Sequence, residues 1–538
     1  MISSNLSHRG GGNSNSSRSN DSNDIYNSKK EKLKKNGNSN GNSIFSIIKK
    51  LLKYGSLLLL AVMIFNTIMF TSKQPKVQTL DPDHIDSFAS LTENELANRL
   101  SKAIQFKTIS FGENKEFDHY EQEFLKFHSF LKQTFPKVYS NLEFNIINGY
   151  SLLYHWKGSD SSLNPVVLSG HIDVVPISNL DLWTHQPFDG TIADGYIWGR
   201  GAMDDKQSVM AILEAAEELL GQGFKPSRSL YFAFGHDEEL GGAQGAQFIA
   251  QHLREKGVKK IEYLLDEGLP ILLPPVFPGI SRPIASIGVS EKGAMNVELS
   301  IDIVGGHSSM PGRETAIGLL ARAVARLEQN PVKHSTKETS LLFDFVGREA
   351  SLPFRFLFSN LWFFEPIISR VLAGKPSLDS LQRTTTAITM FNAGNKANVL
   401  PHSASALVNF RILPSDGIDN VVKHVIDTIN DPRIKVNITS RTEPAPVSPV
   451  TAPSFTLLQS TLLQEFPDVI VAPTIMVANT DTRWYWEFTS NIYRFCPMLI
   501  QNSDLTRFHG IDERISTKNY HQLVDFYYHL IRNGDKKF

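Results

Sequence analysis

Five short segments place histidine and acidic side chains where strands or helices are predicted to begin or end. They are SGHID at 169–173, GRGAMDDK at 199–206, GHDEE at 235–239, LDEG at 265–268 and FHGIDE at 508–513. In open α/β sheets, ligands bind beyond the carboxyl ends of the strands. Cys496 is the only cysteine, so a cysteine-ligated zinc site is excluded. Imidazoles and carboxylates at one sheet edge therefore predict a metal site that activates water.

Each segment also has an ordinary structural explanation when it is taken alone. A single His-x-Asp pattern is weak, and the pair Glu238–Glu239 could be a solvated surface. The pair Asp204–Asp205 could be a helix start, because acids are favoured at that end of the helix dipole. The order of the segments and their positions at element ends make the set specific.

The elements that must position these side chains alternate along the chain after about residue 90. Thr92 with Glu95 predicts a capping box and a helix through about Ile104. Strands are predicted at 165–168, 229–234 and 261–265, and helices at 207–220 and 242–256. Alternating strands and helices are typical of an α/β sheet covered by helices.

A second pattern begins near Lys292. Residues 294–304 and 406–413 alternate apolar and polar side chains, as half-exposed antiparallel strands do. We therefore predict an α+β lid domain at 291–441, inserted between the catalytic segments 91–290 and 442–538. Eight aromatic residues lie between 331 and 385. They are expected in a core or an interface, and an apolar groove for an acyl chain is the alternative.

The N-terminal region predicts a membrane anchor. Residues 1–53 form a predicted cytoplasmic tail, whose Ser-, Asn- and Gly-rich stretch 1–43 is expected to be disordered. The uncharged run 54–72 is long enough to span a bilayer, and 73–90 is read as a linker. A cleaved signal peptide is the alternative, but it would not begin some fifty residues into the chain.

Charge predicts the orientation of this anchor and excludes one class of partner. Residues 1–53 carry ten Lys or Arg and three acidic residues, so the tail should be cytoplasmic and the rest lumenal or extracellular. The sequon at Asn437 would then be open to glycosylation. The whole chain has 54 basic and 55 acidic residues among 538, which gives no support to nucleic-acid binding.

Seven stretches resemble the co-catalytic di-zinc exopeptidases and aminoacylases, in particular their carboxypeptidase S-like branch, which includes N-fatty-acyl-amino-acid hydrolase/synthases. The stretches are SGHIDVVP (169–176), WGRGAMDDK (198–206), HDEELGG (236–242), LLDEG (264–268), GGHSSMP (305–311), NKANVLP (395–401) and FHGIDERI (508–515). The resemblance covers roughly residues 90–538. It implies an α/β mixed-sheet catalytic domain with an inserted α+β lid or dimerisation-type domain.

The resemblance also implies roles for individual residues around two zinc ions. The implied ligands are His171, Asp204, Glu239, Asp266 and His509, with Asp204 bridging both ions. Asp173 would hydrogen-bond the His171 imidazole, and Glu238 would be the general base. The family pattern further implies a cis peptide between Asp204 and Asp205.

The lid domain supplies the remaining implied residues. His307 would stabilise the oxyanion, and Asn398 and Arg411 would hold a substrate carboxylate. In dimeric family members the matching histidine comes from the other subunit, so a homodimer is an open expectation. The segment 479–483 departs from the family pattern, because Ala478 and Asn479 stand where glycines are usual.

Together these features predict a type II membrane-anchored zinc carboxypeptidase that cleaves the amide bond before a C-terminal amino acid. One alternative is an N-acyl-amino-acid hydrolase, which could also run as a synthase on long-chain acyl amino acids. The other is a membrane-anchored binding protein on an inactive hydrolase scaffold. Similarity to yeast-like relatives suggests a vacuole or lysosome.

Overall fold

The computed structural model describes residues 21–76, 90–111 and 121–535, without the side chains of 21–44 and Ser377. The first described element is a long helix. Helix α1 (Asp21–Met69) lies in the first of two units, which ends at Met69. Its segment Phe45–Met69 is long and apolar enough to cross a membrane, judged by length and composition alone. This is weak support for the anchor predicted at 54–72.

The tail of this unit differs from the sequence-based prediction. Residues 1–20 lie outside the described residues, but the backbone is helical from Asp21 onward, where we expected disorder as far as residue 43. The stretch KKEKLKK at 29–35 consists of good helix formers. Extending an existing helix avoids the cost of nucleation, so the apolar segment can propagate its helix into the tail.

The second unit runs from Phe70 onward and contains the remaining described helices and strands. Its strands are β1 (Glu143–Ile147), β2 (Ser151–Trp156), β3 (Val166–His171), β4 (Ile192–Ala193), β5 (Tyr196–Trp198), β6 (Leu230–Gly235), β7 (Leu264–Leu272), β8 (Ile284–Glu291), β9 (Gly293–Asp302), β10 (Gly306–His307), β11 (Thr385–Ala393), β12 (Val399–Leu400), β13 (Ser403–Ile412), β14 (Lys435–Thr442), β15 (Ile470–Met476), β16 (Ile492–Ile500) and β17 (Arg514–Ser516). Its helices are α2 (Glu93–Ile104), α3 (Glu121–Thr134), α4 (Pro136–Asn141), α5 (Lys206–Gly221), α6 (Ala246–Glu255), α7 (Ala316–Gln329), α8 (Lys337–Val346), α9 (Leu352–Ser359), α10 (Leu361–Leu372), α11 (Pro376–Asp379), α12 (Ile418–Ile429), α13 (Pro453–Glu465) and α14 (Thr517–Asn533). The predicted capping box of Thr92 and Glu95 is present at α2.

The larger sheet has eight strands in the order β1-β2-β6-β3-β7-β16-β8-β15. Strand β3 is parallel to both β6 and β7, and β7 is parallel to β16. Strands β2 and β6 are antiparallel, so the sheet is mixed, as predicted. The carboxyl ends of β3 and β6 therefore meet at one edge, where the first and third of the chemistry-bearing segments lie. The fourth segment, 265–268, lies inside β7, because this strand runs from Leu264 to Leu272 and does not end at 265 as predicted.

Helices cover both faces of this sheet because successive side chains on a strand point to opposite sides. On β6, Phe232 and Phe234 join the core formed with α2, α5 and α14. Tyr231 and Ala233 join the opposite core, which contains the buried face of α6. Both faces of this strand are therefore packed, and this packing fixes the position of its carboxyl end.

A second sheet has the antiparallel order β11-β13-β9-β14. Alternate residues of β9 and β13 are buried against α7 and α12, which confirms the strands predicted from period-two alternation. The boundaries 291–441 of an inserted domain remain a prediction.

Helices α8 to α10 differ from that simple division. They lie within 291–441 in sequence, yet Leu342, Phe343 and Phe358 belong to the core of the larger sheet. Helix α8 packs against the edge strand β15. The aromatic residues between 331 and 385 therefore contribute mainly to the hydrophobic core of the larger sheet.

Candidate functional site

Two imidazoles converge on one carboxylate at the carboxyl edge of the larger sheet. The Nε2 atom of His171, the last residue of β3, lies 3.0 Å from Oδ1 of Asp204. The Nε2 atom of His509 lies 3.1 Å from Oδ2 of the same Asp204 and 3.1 Å from Oε2 of Glu239. Because Asp204 turns one oxygen to each histidine, it has the arrangement required of a ligand shared by two metal ions.

The third acid near His171 is Glu267, and Asp266 does not take that place. Oε1 of Glu267 lies 3.6 Å from His171 Nε2, and His171, Asp204 and Glu267 bring ligand atoms within 4.8 Å of one another. Asp266 is in none of the three such groups among the described residues, and its side chain hydrogen-bonds Ser169. Adjacent residues of a strand point to opposite sides, so only one of the two acids can face the site. We therefore replace Asp266 by Glu267 in the proposed ligand set.

Asp173 orients the adjoining groups. Nδ1 of His171 lies 3.0 Å from the Asp173 carbonyl oxygen and 3.2 Å from its carboxylate, so Nδ1–H donates to Asp173 and Nε2 is the ring atom turned toward Asp204. The same carboxylate accepts the backbone N–H groups of Glu238 and Glu239 at 3.1 and 3.2 Å. Asp173 thus contacts both the His171 ring and the backbone of Glu238 and Glu239, and its role in the reaction stays a prediction.

A buried acid that the sequence reasoning left without a role holds the loop of Asp204. Oε1 of Glu513 accepts the backbone N–H groups of Gly201, Met203 and Asp204. Its Oε2 accepts from Nη1 of Arg200 at 2.6 Å. Burial raises the pKa of Glu513 to about 7, although Arg200 opposes the shift. The sequence offered one signal for this ion pair: Arg200 and Glu513 carry opposite charges, and each lies in one of the motif stretches. The peptide between Asp204 and Asp205 is cis, as expected.

The electrostatics of the site favour cations. Burial raises the pKa values of Glu238, Glu239 and Glu267, and neighbouring negative charges raise them further. Burial would also raise the pKa of Asp204, but hydrogen bonds from His171 and His509 outweigh it and the net shift is downward. Hydrogen bonds to Asp204 and Glu239 raise the pKa of His509 to about 10.

These residues fit a zinc centre. Oε1 of Glu239 is buried and has no hydrogen-bond partner among the described residues. Zinc accepts imidazole nitrogen and carboxylate oxygen at about 2.0–2.2 Å, so tetrahedral ligand atoms lie roughly 3.3 Å apart. The measured separations of 3.0 to 3.6 Å around His171 are of this size. The proposed ligands are His171, Asp204, Glu239, Glu267 and His509.

A cavity of about 540 Å³ opens onto four of these ligands: Asp204, Glu239, Glu267 and His509. Glu238 lines it, and so does Arg411 from β13 of the second sheet. Nη1 of Arg411 donates to Oδ1 of Asn479 at 2.9 Å. Burial, together with the charge of Arg483, lowers the pKa of Arg411, so an anion in the cavity would relieve both guanidinium groups. Asn479 is one of the two residues at which the sequence departs from the family pattern, and it orients Arg411.

Two predicted residues do not reach this cavity within one chain. His307 on β10 and Asn398 beside β12 are both exposed, and neither lines the cavity. They lie together, since Ser308 N–H donates to the Asn398 carbonyl oxygen at 3.2 Å. His307 Nδ1 accepts the Ser309 backbone N–H at 3.1 Å, which leaves Nε2 as the protonated, donating atom. That tautomer could donate a hydrogen bond to an oxyanion, but within one chain His307 does not line the cavity.

The mixed sheet with histidines and acids at its carboxyl edge is that of a metal-dependent hydrolase. The profile of Peptidase family M20/M25/M40 matches residues 167–533, and the chain belongs to this family. The alternative of an inactive binding protein is therefore set aside.

Individual relatives cover nearly the whole chain. It is 65% identical over 493 residues to "Probable carboxypeptidase S-like 2" of Dictyostelium discoideum, with 91% of this chain and 95% of the relative covered. It is 40% identical over 500 residues to an N-fatty-acyl-amino acid synthase/hydrolase of Danio rerio, with 91% and 96% covered. The crystal structure of an M20 family metallo-carboxypeptidase from Sulfolobus solfataricus shares the fold, with a TM-score of 0.60, 17% identity and 82% and 99% coverage.

Proposed function

We propose that this chain is a membrane-anchored zinc carboxypeptidase that hydrolyses the amide bond before a C-terminal amino acid. The observation that carries the proposal is Arg411, whose guanidinium lines the same cavity as Asp204, Glu238 and His509. An arginine fork binds a carboxylate in bidentate fashion, so a free C-terminus held there lies beside the acids. When bound, two zinc ions would polarise the scissile carbonyl and lower the pKa of bound water.

The chain's own residues would do the remaining chemistry. Glu238 would accept a proton from the attacking water and return it to the leaving amine nitrogen. Asp173 fixes the His171 tautomer, and Glu513 holds the backbone on which Asp204 lies. Nε2–H of His307 would donate to the developing oxyanion.

The second candidate is hydrolysis or synthesis of long-chain N-acyl amino acids. The cavity supports it, because its wall beyond the acids is apolar: Leu269, Pro270, Met476, Val477, Leu505 and Phe508. The 40% identical relative carries that activity in its name. The aromatic residues between 331 and 385 do not line the cavity, so the sequence-based idea of an acyl groove built from them loses its support.

One comparison separates the two candidates. The purified full-length chain with zinc would be given a blocked dipeptide and a long-chain N-acyl amino acid that release the same amino acid. A higher kcat/KM on the dipeptide supports the carboxypeptidase, and a higher value on the acyl substrate supports the second candidate. Equal and negligible rates on both would contradict both functions.

Arg411→Gln should lower kcat/KM by about 10- to 100-fold on either substrate. A hydrogen bond to a charged group contributes roughly 1.5–3 kcal/mol, and 1.36 kcal/mol corresponds to a tenfold rate. The same substrates with a C-terminal carboxamide should react slowly with the parent protein and be little affected by the substitution. Arg441→Gln, at an exposed position on β14, is the matched control. An equal loss on acid and amide substrates would show that Arg411 is merely structural.

We propose that His307 and Asn398 act in the cavity of a second copy, in a two-fold dimer. Mixing His307→Ala protein with Glu238→Gln protein should then restore activity, because each mixed dimer contains one intact site. Random pairing predicts about a quarter of the parental rate. Absence of recovery in a mixture shown to contain mixed dimers would contradict shared sites.

We also propose the type II topology. The basic flank Lys49, Lys50 and Lys53 should keep residues 1–53 in the cytoplasm. Protease added to sealed microsomes should remove only the tail before Lys53. Asn437 lies exposed on β14, so its glycan, lost in Asn437→Gln, would be a second readout of a lumenal domain. Digestion of residues 70–538 would contradict the orientation; the vacuole or lysosome remains a prediction.

A further inference from the structure

The outer side of α10, with the start of α9, exposes large apolar side chains. We call these five residues the apolar face. Their exposed fractions are Leu352 72%, Trp362 58%, Phe363 46%, Ile367 61% and Val371 67%. Phe363, Ile367 and Val371 are spaced four residues apart and so form one stripe along the helix.

The inner side of α10 is apolar as well. Leu361, Ile368 and Leu372 pack against the core of the larger sheet. A surface helix of a soluble protein is normally polar on its outer side, whereas Glu365 and Arg370 are the only charged residues of α10. Since the described residues provide no cover for the outer side, the apolar face is expected to have a partner outside the chain.

The chain directly after α1 is fixed to the same helical segment. Arg348 Nη1 donates to the Thr71 carbonyl oxygen at 2.7 Å, and its guanidinium lies 4.2 Å from the centroid of the Phe70 ring. Arg355, on α9, donates to the Phe70 carbonyl oxygen, and Lys73 pairs with Asp344 of α8. A single peptide bond joins Phe70 to Met69, the last residue of the candidate span. The apolar face thus lies on α10 and on the start of α9, and α9 contacts Phe70, the first residue after the candidate span.

We propose that the apolar face inserts into the interfacial layer of the membrane in which α1 is anchored. Trp and Phe rings are favoured at that depth, and two exposed basic residues, Arg370 on α10 and Lys375 just after it, suit anionic headgroups. A second copy of the chain is the competing occupant. Continuity of the chain favours the bilayer, because the proposed anchor ends one residue before Phe70. The inference rests on the proposed anchor. An inserted apolar face would hold the catalytic unit against the membrane surface, into which apolar substrates partition.

Fluorescence quenching in vesicles tests this proposal on the full-length chain. Cys496 is buried, so one introduced cysteine can be labelled selectively with a nitrobenzoxadiazole dye. Ile367→Cys reports on the apolar face, and Ile426→Cys is the matched control, since Ile426 is 53% exposed on α12 of the second sheet. Interfacial helices lie about 5–10 Å into the headgroup–acyl boundary, so brominated phosphatidylcholine should quench the Ile367 label about twofold or more. The Ile426 label should be unaffected.

The outcomes separate the anchor from the docking surface. Retention in the vesicles after alkaline extraction, with the Ile367 label unquenched, overturns the inference and leaves the anchor intact. A blue-shifted but unquenched label shows that a second copy covers the face and also overturns it. Release by alkaline extraction refutes the anchor and the inference with it. Leu352→Cys is a second labelling position if Ile367→Cys fails to fold, and turnover of the soluble dipeptide checks folding of each variant.

Discussion

Glu238→Gln should retain the bound metal and lose at least about 100-fold in kcat, the usual contribution of a positioned general base. The amide has the size of the carboxylate but cannot accept a proton from water. Glu238 lines the cavity, and burial, followed by the charge of Glu267, raises the pKa of its carboxyl group. A raised pKa makes the carboxylate a better proton acceptor near neutral pH. Metal content by mass spectrometry and kcat on either substrate are the two measurements.

The matched control is Glu239→Gln, at the adjacent position. Oε2 of Glu239 lies 3.1 Å from His509 Nε2, so this variant should lose metal together with activity. Both variants are needed because Glu238 could itself be a metal ligand: His171, Glu238 and Glu239 also bring ligand atoms within 4.8 Å of one another. Metal loss in Glu238→Gln, or turnover near the parental rate, would show that the base and the ligand have been assigned the wrong way round.

The sequence predicted most of what local patterns determine. Period-two alternation located β9 and β13, and side-chain chemistry located the capping box of Thr92 and Glu95. The positions of His171 and Glu239 followed from strand ends, because a parallel sheet brings such ends together whatever the details of its packing.

The sequence could not determine which side of the sheet a residue faces where a strand has a register shift. It also could not determine which elements distant in sequence pack against each other. Glu267 and Asp266 are neighbours of the same chemical type, and only the register of β7 decides between them. The packing of α8 against β15, more than a hundred residues away, has no local signature. His307 and Asn398 came from family resemblance, and one chain alone does not bring them to the cavity.

The choice between the two neighbouring acids leads to the second large effect. Glu267→Gln should release one of the two proposed zinc ions and lower kcat by at least about 100-fold. A metal ion contributes several kcal/mol of transition-state stabilisation, and each 1.36 kcal/mol is tenfold in rate. Oε1 of Glu267 faces His171 Nε2. Among the described residues, Asp204 is the only other acid that brings a ligand atom within 4.8 Å of those of both Glu267 and His171.

Asp266→Asn is the matched control, because it removes the charge of the neighbouring acid with little change of shape. Asp266 hydrogen-bonds Ser169, and burial raises the pKa of its carboxyl group to about 6, so a neutral amide is tolerable there. We expect this variant to keep both ions and to lose no more than about 10- to 100-fold in metal affinity, as outer-shell residues do. Loss of one ion in Asp266→Asn, with both retained in Glu267→Gln, would restore the assignment made from the family pattern and would mean that β7 adopts a different register when metal is bound.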